Sequence, residues 1–206
     1  MLKVIHPRYA VQVMDKFIPD ELLAEFVKEI NYEQRRLQVD DGKIFSTEAS
    51  PLTYKLLSIG HSFLSKFNIR TTAMEYFIWR RGNPIFLPHI DVDNDPDLTP
   101  IAIRLNIPVY SYSSTMDWFE VREDSVWKEN VRKGLDGNHD TLQITEDAIP
   151  DYSVSADHTM FVNPAIPHRI DMKKTNSDRL TLSYKIKNKF SFEDFVKQIP
   201  EQYLSS

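Results

Sequence analysis

From about residue 70 the chain is cut into short runs of aromatic and β-branched residues, which leaves it few folds. The runs are 74–79, 101–110, 118–121, 159–163 and 179–186, and Pro, Asn, Asp and Ser separate them. Strands this short bury their apolar sides only by layering, so the pattern predicts an all-β sandwich or barrel. The first 70 residues read differently. Residues 4–13 form an extended segment, and Pro19-Asp20-Glu21 then opens a helix with acid in its first turn, where the helix dipole favours it. Leu22, Leu23, Phe26, Val27 and Ile30 share one face of that helix at its natural spacing. Ser50-Pro51 starts a second helix, with Leu52, Leu56, Ile59, Phe63 and Phe67 as its inward stripe. Ser191 caps a last helix, with Asp194 three residues on and Phe192, Phe195, Val196 and Ile199 facing in. The expected architecture is mainly β with flanking helices, packed on one side of a β-sandwich. Residues 1–206 read as a single domain: 1–70 as an N-terminal strand and helices, 71–188 as the β core, 189–206 as a C-terminal helix.

Composition narrows the chemistry. The absence of cysteine excludes disulfides, thiolate nucleophiles, Fe–S clusters and Cys-ligated zinc, so a bound metal has to be held by His and carboxylate. The five glycines are too scattered for a dinucleotide fingerprint, a P-loop or a nucleophile elbow. A net charge of −5 gives no bulk attraction to nucleic acid and disfavours it as a partner. The apolar runs are too short to span a bilayer, and the N-terminus lacks a signal peptide's apolar core. The expected address is the cytoplasm.

The residues with metal chemistry sit in Leu-Pro-His89-Ile-Asp91. In an extended chain, residues i and i+2 point the same way, so His89 and Asp91 can reach one ion. A second His from a distant strand would complete two His and one carboxylate on one face of an octahedron, the arrangement of non-haem Fe(II) sites with open positions. Two histidines compete for that place. His158 precedes Met160-Phe-Val, whereas His168 ends Asn163-Pro-Ala-Ile-Pro and enters a new strand. Each has an Arg eleven residues on, so spacing does not choose between them. Context selects His168, because Arg179 opens the strand-like Arg-Leu-Thr-Leu-Ser-Tyr-Lys-Ile.

This order, HxD, then a distant His, then an Arg about ten residues later, resembles the 2-oxoglutarate and Fe(II)-dependent dioxygenases. The likeness runs from roughly Glu75 to Lys187, and includes Tyr76-Phe-Ile-Trp-Arg-Arg-Gly-Asn, Phe161-Val-Asn-Pro-Ala-Ile-Pro-His168-Arg-Ile and Arg179-Leu-Thr181-Leu-Ser183. It implies a double-stranded β-helix of the jelly-roll, cupin-like kind. It further implies His89, Asp91 and His168 as ligands of Fe(II), with 2-oxoglutarate and O2 as co-substrates and succinate, CO2 and a hydroxylated substrate as products. Arg179 would pair with the far carboxylate of 2-oxoglutarate, a task suited to a planar, always-charged fork, and Thr181 would assist. Arg104 and Asn106 share strand parity, so both can look into the pocket at co-substrate or substrate; a plain surface face fits them equally. Tyr76 either hydrogen-bonds the co-substrate or belongs to the core.

Other readings compete. Asp91-Val-Asp93-Asn-Asp95-Pro-Asp97 imitates the start of a calcium loop, but Pro96 stands where that loop needs Gly and Ala102 where it needs the bidentate Glu. The polar stretch 123–151 is a loop or hairpin at the barrel mouth, and Trp118 and Trp127 are rim aromatics or plain packing. The expected substrate is a small molecule or a peptide. The alternatives to a dioxygenase are a non-catalytic cupin-like binder of a metal or small acid, and a His2Asp isomerase or hydrolase, since that set also binds zinc. Composition says nothing about oligomeric state.

Overall fold

The computed structural model describes residues 1–39, 42–80, 88–91, 103–110, 113–123, 125–130, 139–143, 148–172, 177–186 and 190–205. In chain order the strands are β1 (Leu2–His6), β2 (Ala10–Val13), β3 (Gly42–Ser46), β4 (Thr71–Trp79), β5 (Arg104–Tyr110), β6 (Thr115–Trp118), β7 (Val126–Asn130), β8 (His139–Gln143), β9 (Tyr152–Ser155), β10 (Met160–Val162), β11 (His168–Asp171) and β12 (Arg179–Ile186). The helices are α1 (Asp20–Glu29), α2 (Tyr32–Leu37), α3 (Pro51–Ser65) and α4 (Phe192–Gln198).

A large sheet has the order β1-β2-β10-β5-β12-β4-β3, and a small one the order β11-β6-β9. An antiparallel bridge between His89 and His168 adds a further extended segment to the β11 edge of the small sheet. The chain winds between the two sheets: β4 lies in the large sheet, the His89 segment in the small, β5 in the large, β6 and β9 in the small, then β10, β11 and β12 alternate. This is the jelly-roll winding of a double-stranded β-helix.

Strand parity assigns each face of the large sheet a task. Tyr76, Ile78, Leu105, Ile107, Leu180, Leu182 and Tyr184 face the helices and form one core with Phe26, Leu56, Phe63 and Leu64. Their neighbours Phe77, Trp79, Arg104, Asn106, Arg179 and Thr181 face the small sheet and line a cavity between the sheets. The ladder between β5 and β12 is irregular next to Pro108, which has no N–H to donate.

Where capping chemistry is present, it sets the helix starts. Ser50 accepts from Thr53 N–H in a capping box with Pro51 in the first turn, and Ser191 accepts from Asp194 N–H. The expected stripes of α1 and α3 face inward, with Leu22, Leu23, Phe26, Ile30, Leu56, Phe63 and Phe67 buried.

Several elements depart from expectation. The single extended segment at 4–13 is a pair of antiparallel strands, β1 and β2, turned at 7–9. Trp118 ends a strand instead of starting one: Phe119 N–H still reaches the Pro167 carbonyl in register at 2.8 Å, but Pro167 has no N–H to return the bond, and Glu120 N–H turns to Asp151 Oδ2 at 2.8 Å. The stretch 123–151 contains a hairpin of β7 and β8. Helix α2 and strands β3 and β9 were not anticipated; α2 is six residues of mostly polar sequence.

Helix α3 lies against β12 at Gly60, where an added Cβ would stand 2.7 Å from Tyr184 Cζ. Tyr184 is buried, and its hydroxyl donates to the Leu56 carbonyl at 2.6 Å, so the ring has little room to retreat. Gly60→Ala is expected to lose about 1–3 kcal/mol through overpacking, against about 1 kcal/mol gained in helix propensity. Urea unfolding reads the difference, and wild-type stability in the variant would mean the helix slides aside without strain.

Candidate metal centre

Two histidines 79 positions apart meet through their own backbones. His89 N–H donates to the His168 carbonyl at 3.0 Å, and His168 N–H returns a bond to the His89 carbonyl at 2.9 Å. Residues that exchange both bonds stand directly opposite and send their side chains to the same face. The imidazole rings accordingly lie with centroids 4.7 Å apart. Asp91, two residues on, is held in the same orientation by its N–H, which donates to the Pro164 carbonyl at 2.9 Å.

The ligand atoms of His89, Asp91 and His168 fall within 4.8 Å of one another, a group able to hold a metal ion. His89 Nε2 is 3.7 Å and His168 Nε2 3.9 Å from Asp91 Oδ1. Ligands at right angles around an ion with ~2.1 Å bonds stand roughly 3 Å apart, so closure asks each atom to move by under ~1 Å. His168 Nδ1 lies 3.0 Å from the Ile166 carbonyl, which can only accept. That contact puts the proton on Nδ1 and leaves the Nε2 lone pair aimed at the cavity, the usual way an outer partner fixes a ligating imidazole. The side chains of Asp91 and His168 are 6% and 7% exposed and that of His89 16%, so access is from the His89 side.

Arg179 and Thr181 lie side by side on β12 in the same cavity wall. Arg179 Nε and Thr181 Oγ1 are both buried without a hydrogen-bond partner among the described residues. Burial pulls the Arg179 guanidinium down to about 10, with only Asp157 opposing, so it remains a cation at neutral pH. A buried cation and a buried hydroxyl left unmatched destabilise the fold unless an anion fills the space between the sheets.

Arg104 takes a different position. Its Nε donates to Asp91 Oδ2 at 2.5 Å and its Nη1 to Glu75 Oε2 at 2.7 Å. Asn106 lines the cavity, with Oδ1 accepting from Ser183 Oγ at 2.7 Å. Tyr76 is not brought to the site: it faces the helices, stacked on Phe45 and edge-on to Phe26, because its parity on β4 is opposite to that of Phe77 and Trp79. His158 is exposed in the turn before β10, away from the cluster. Arg169 turns away from the cavity and pairs with Asp117 at 3.3 Å on the outer side of the small sheet. Trp118 is fully buried and donates Nε1–H to the Asn163 carbonyl at 3.0 Å, which is packing. Trp127's side chain and the acidic run at 93–97 lie outside the described residues.

Two contributors had no role in the sequence reading. Glu75 is one, and the available signal was a carboxylate inside an apolar strand run, in phase with Trp79. Asn163 is the other. It accepts from Ala165 N–H at 3.1 Å and donates to the Arg8 carbonyl at 2.8 Å, which shapes the turn leading into His168.

No family model matches the chain, and no curated protein matches it. Solved structures do. HygX from Streptomyces hygroscopicus with nickel and 2-oxoglutarate bound superposes with a TM-score of 0.51 at 12% identity, over 88% of this chain and 83% of that one. The iron-bound form of HygX gives 0.51 at 10% identity, over 91% and 85%. The epimerase SnoN, in complex with Fe3+, alpha ketoglutarate and nogalamycin RO, gives 0.48 at 13% identity, over 87% and 78%. At this identity the HygX likeness establishes the fold, a double-stranded β-helix. No helix among the described residues is long and apolar enough to cross a membrane.

His168→Ala and Asp91→Ala are each expected to abolish tight divalent-metal binding, while His158→Ala leaves it intact. In the wild type, metal at 100 times its Kd should raise unfolding stability by about 2.7 kcal/mol. Calorimetric titration with Co(II) checks both, and unchanged affinity in His168→Ala would move the third ligand elsewhere.

Proposed function

We propose that the chain is an Fe(II)- and 2-oxoglutarate-dependent dioxygenase that hydroxylates a small-molecule or peptide substrate. The observation carrying this reading is the pairing, in one cavity, of a His-Asp-His cluster with a buried guanidinium Nε and a buried hydroxyl that have no hydrogen-bond partner among the described residues. His89, Asp91 and His168 hold the metal. Arg179 and Thr181 take the far carboxylate of 2-oxoglutarate, which satisfies Nε and Oγ1 together. Asn106 borders the same space, and its Ser183 contact orients the amide.

Charge supports a dianion. Around the cavity, Asp91 and Glu75 balance Arg104 and Arg179 among the described residues. Asp157 also acts on Arg179, so a divalent ion then leaves a net positive charge, which a dicarboxylate offsets. When bound, Fe(II) supplies the redox chemistry with O2 and the co-substrate; the protein positions the partners and keeps water out. A His2Asp hydrolase or isomerase would also use the metal ligands, but it would give the Arg179 Nε and Thr181 Oγ1, unpartnered among the described residues, nothing to bind.

The decisive experiment is an anaerobic absorbance titration of metal-free protein with Fe(II) and then 2-oxoglutarate. A weak visible charge-transfer band that needs both, followed by succinate release on admitting air with substrate candidates, is the expected result. Tight binding of another divalent metal with no such band would sink the dioxygenase reading.

Arg179 generates a second prediction. Arg179→Leu should weaken 2-oxoglutarate binding by about 10- to 100-fold, the worth of a charge-assisted bond. It should keep metal affinity, and leave ligand-free stability unchanged or higher by on the order of 1 kcal/mol, as expected where a site is built against stability. Equal loss of metal and 2-oxoglutarate would remove the role given to Arg179.

A further inference from the structure

The wall of the metal cluster contains a carboxylate–guanidinium–carboxylate chain that the co-substrate does not require. Arg104 Nε binds Asp91 Oδ2, Arg104 Nη1 binds Glu75 Oε2, and the guanidinium also lies 5.5 Å from the Phe77 ring centroid. Arg104 is buried, and the two carboxylates hold it firmly charged, well above the ordinary arginine range. Three strands meet in this chain of contacts: Glu75 comes from β4, Arg104 from β5, and Asp91 from the segment bridged to β11.

We propose that Arg104 and Glu75 are positioning residues for the metal, with Arg104 clamping Asp91 so that it ligates through one oxygen; this rests on the metal site proposed above. The geometry divides the work of the carboxylate. Oδ1 faces both histidine Nε2 atoms at 3.7 and 3.9 Å, whereas Oδ2 is turned away and occupied by the guanidinium. A carboxylate so tied cannot swing to a two-oxygen grip, so the coordination position that the second oxygen would take remains open for other ligands. Glu75 anchors the far side of the fork. An arginine facing one carboxylate could rotate about its long side chain; one held between two carboxylates from different strands is fixed. Arg104 therefore acts on the metal through Asp91 and is not a contact of the 2-oxoglutarate carboxylate, which falls to Arg179.

Titration with Co(II), read by affinity and by its visible d–d bands, tests this on the full chain. Arg104→Gln should weaken Co(II) by about 10- to 100-fold, the usual effect of removing an outer partner of a metal ligand, and shift the bands as Asp91 is released. Glu75→Gln, at the less buried end of the chain of contacts, should move both readouts the same way by less. The double variant should lose no more than Arg104→Gln alone, because the two act in series. His158→Ala, away from the cluster, should leave affinity and bands at wild-type values. If Arg104→Gln does not fold, Glu75→Gln decides on its own. Wild-type affinity and spectrum in both single variants would overturn the role. A wild-type chain that takes up no Co(II) overturns the metal site itself and this role with it, whereas normal wild-type uptake with unaltered variants overturns the role alone.

Discussion

The pair of backbone hydrogen bonds between His89 and His168 is the contact on which the site depends. It closes the small sheet at its β11 edge and sets two imidazoles opposite each other. It also places Asp91, because a residue two positions on in an extended chain returns to the same side. One main-chain pairing thus brings three metal-capable side chains together from two segments far apart in sequence. Main-chain bonds suit this purpose: their geometry is narrow, and it does not depend on rotamers. The prolines nearby serve the same end. Pro164 and Pro167 have no N–H to compete, and their carbonyls receive Asp91 N–H and Phe119 N–H, which ties the loop before His168 to both strands it must meet.

The two buried arginines of the cavity differ in what surrounds them. Arg104 lies between Asp91 and Glu75 and is charge-compensated within the protein. Arg179 is equally buried, yet its Nε has no partner among the described residues. The first arrangement stabilises a local structure, and the second leaves a buried donor that the proposed co-substrate would satisfy.

Much of this was legible in the residues. The parity of Arg179 with Thr181, of Arg104 with Asn106 and of His89 with Asp91 follows from the two-residue period of a strand, and each pair lies on a common wall of the cavity. The choice of His168 over His158 came from a turn and a strand start, and His158 does sit exposed in a turn. Tyr76 shows where such reasoning stops. Its odd phase relative to Phe77 and Trp79 was visible, but which phase faced the helices was not. The partner of Arg104 was equally invisible, since an ion pair across strands is a property of register and not of composition. Strand β9, half-buried with Ser153 and Ser155 facing out, lacked the apolar density that marks a strand in sequence.

The sequence by itself determined the material: a chain without cysteine whose only metal-capable pattern was histidine and carboxylate, short β runs that had to layer, and helices whose starts were written in Ser50 and Ser191. Local rules are sufficient for these, because capping, alternation and ligand chemistry act over a few residues. The tertiary structure decided which histidine met His89, that Asp91 offers one oxygen inward and the other to Arg104, and that Arg179 is buried with its Nε lacking a hydrogen-bond partner among the described residues. Those outcomes depend on how strands distant in sequence register against one another, and only the packed sheets set that register.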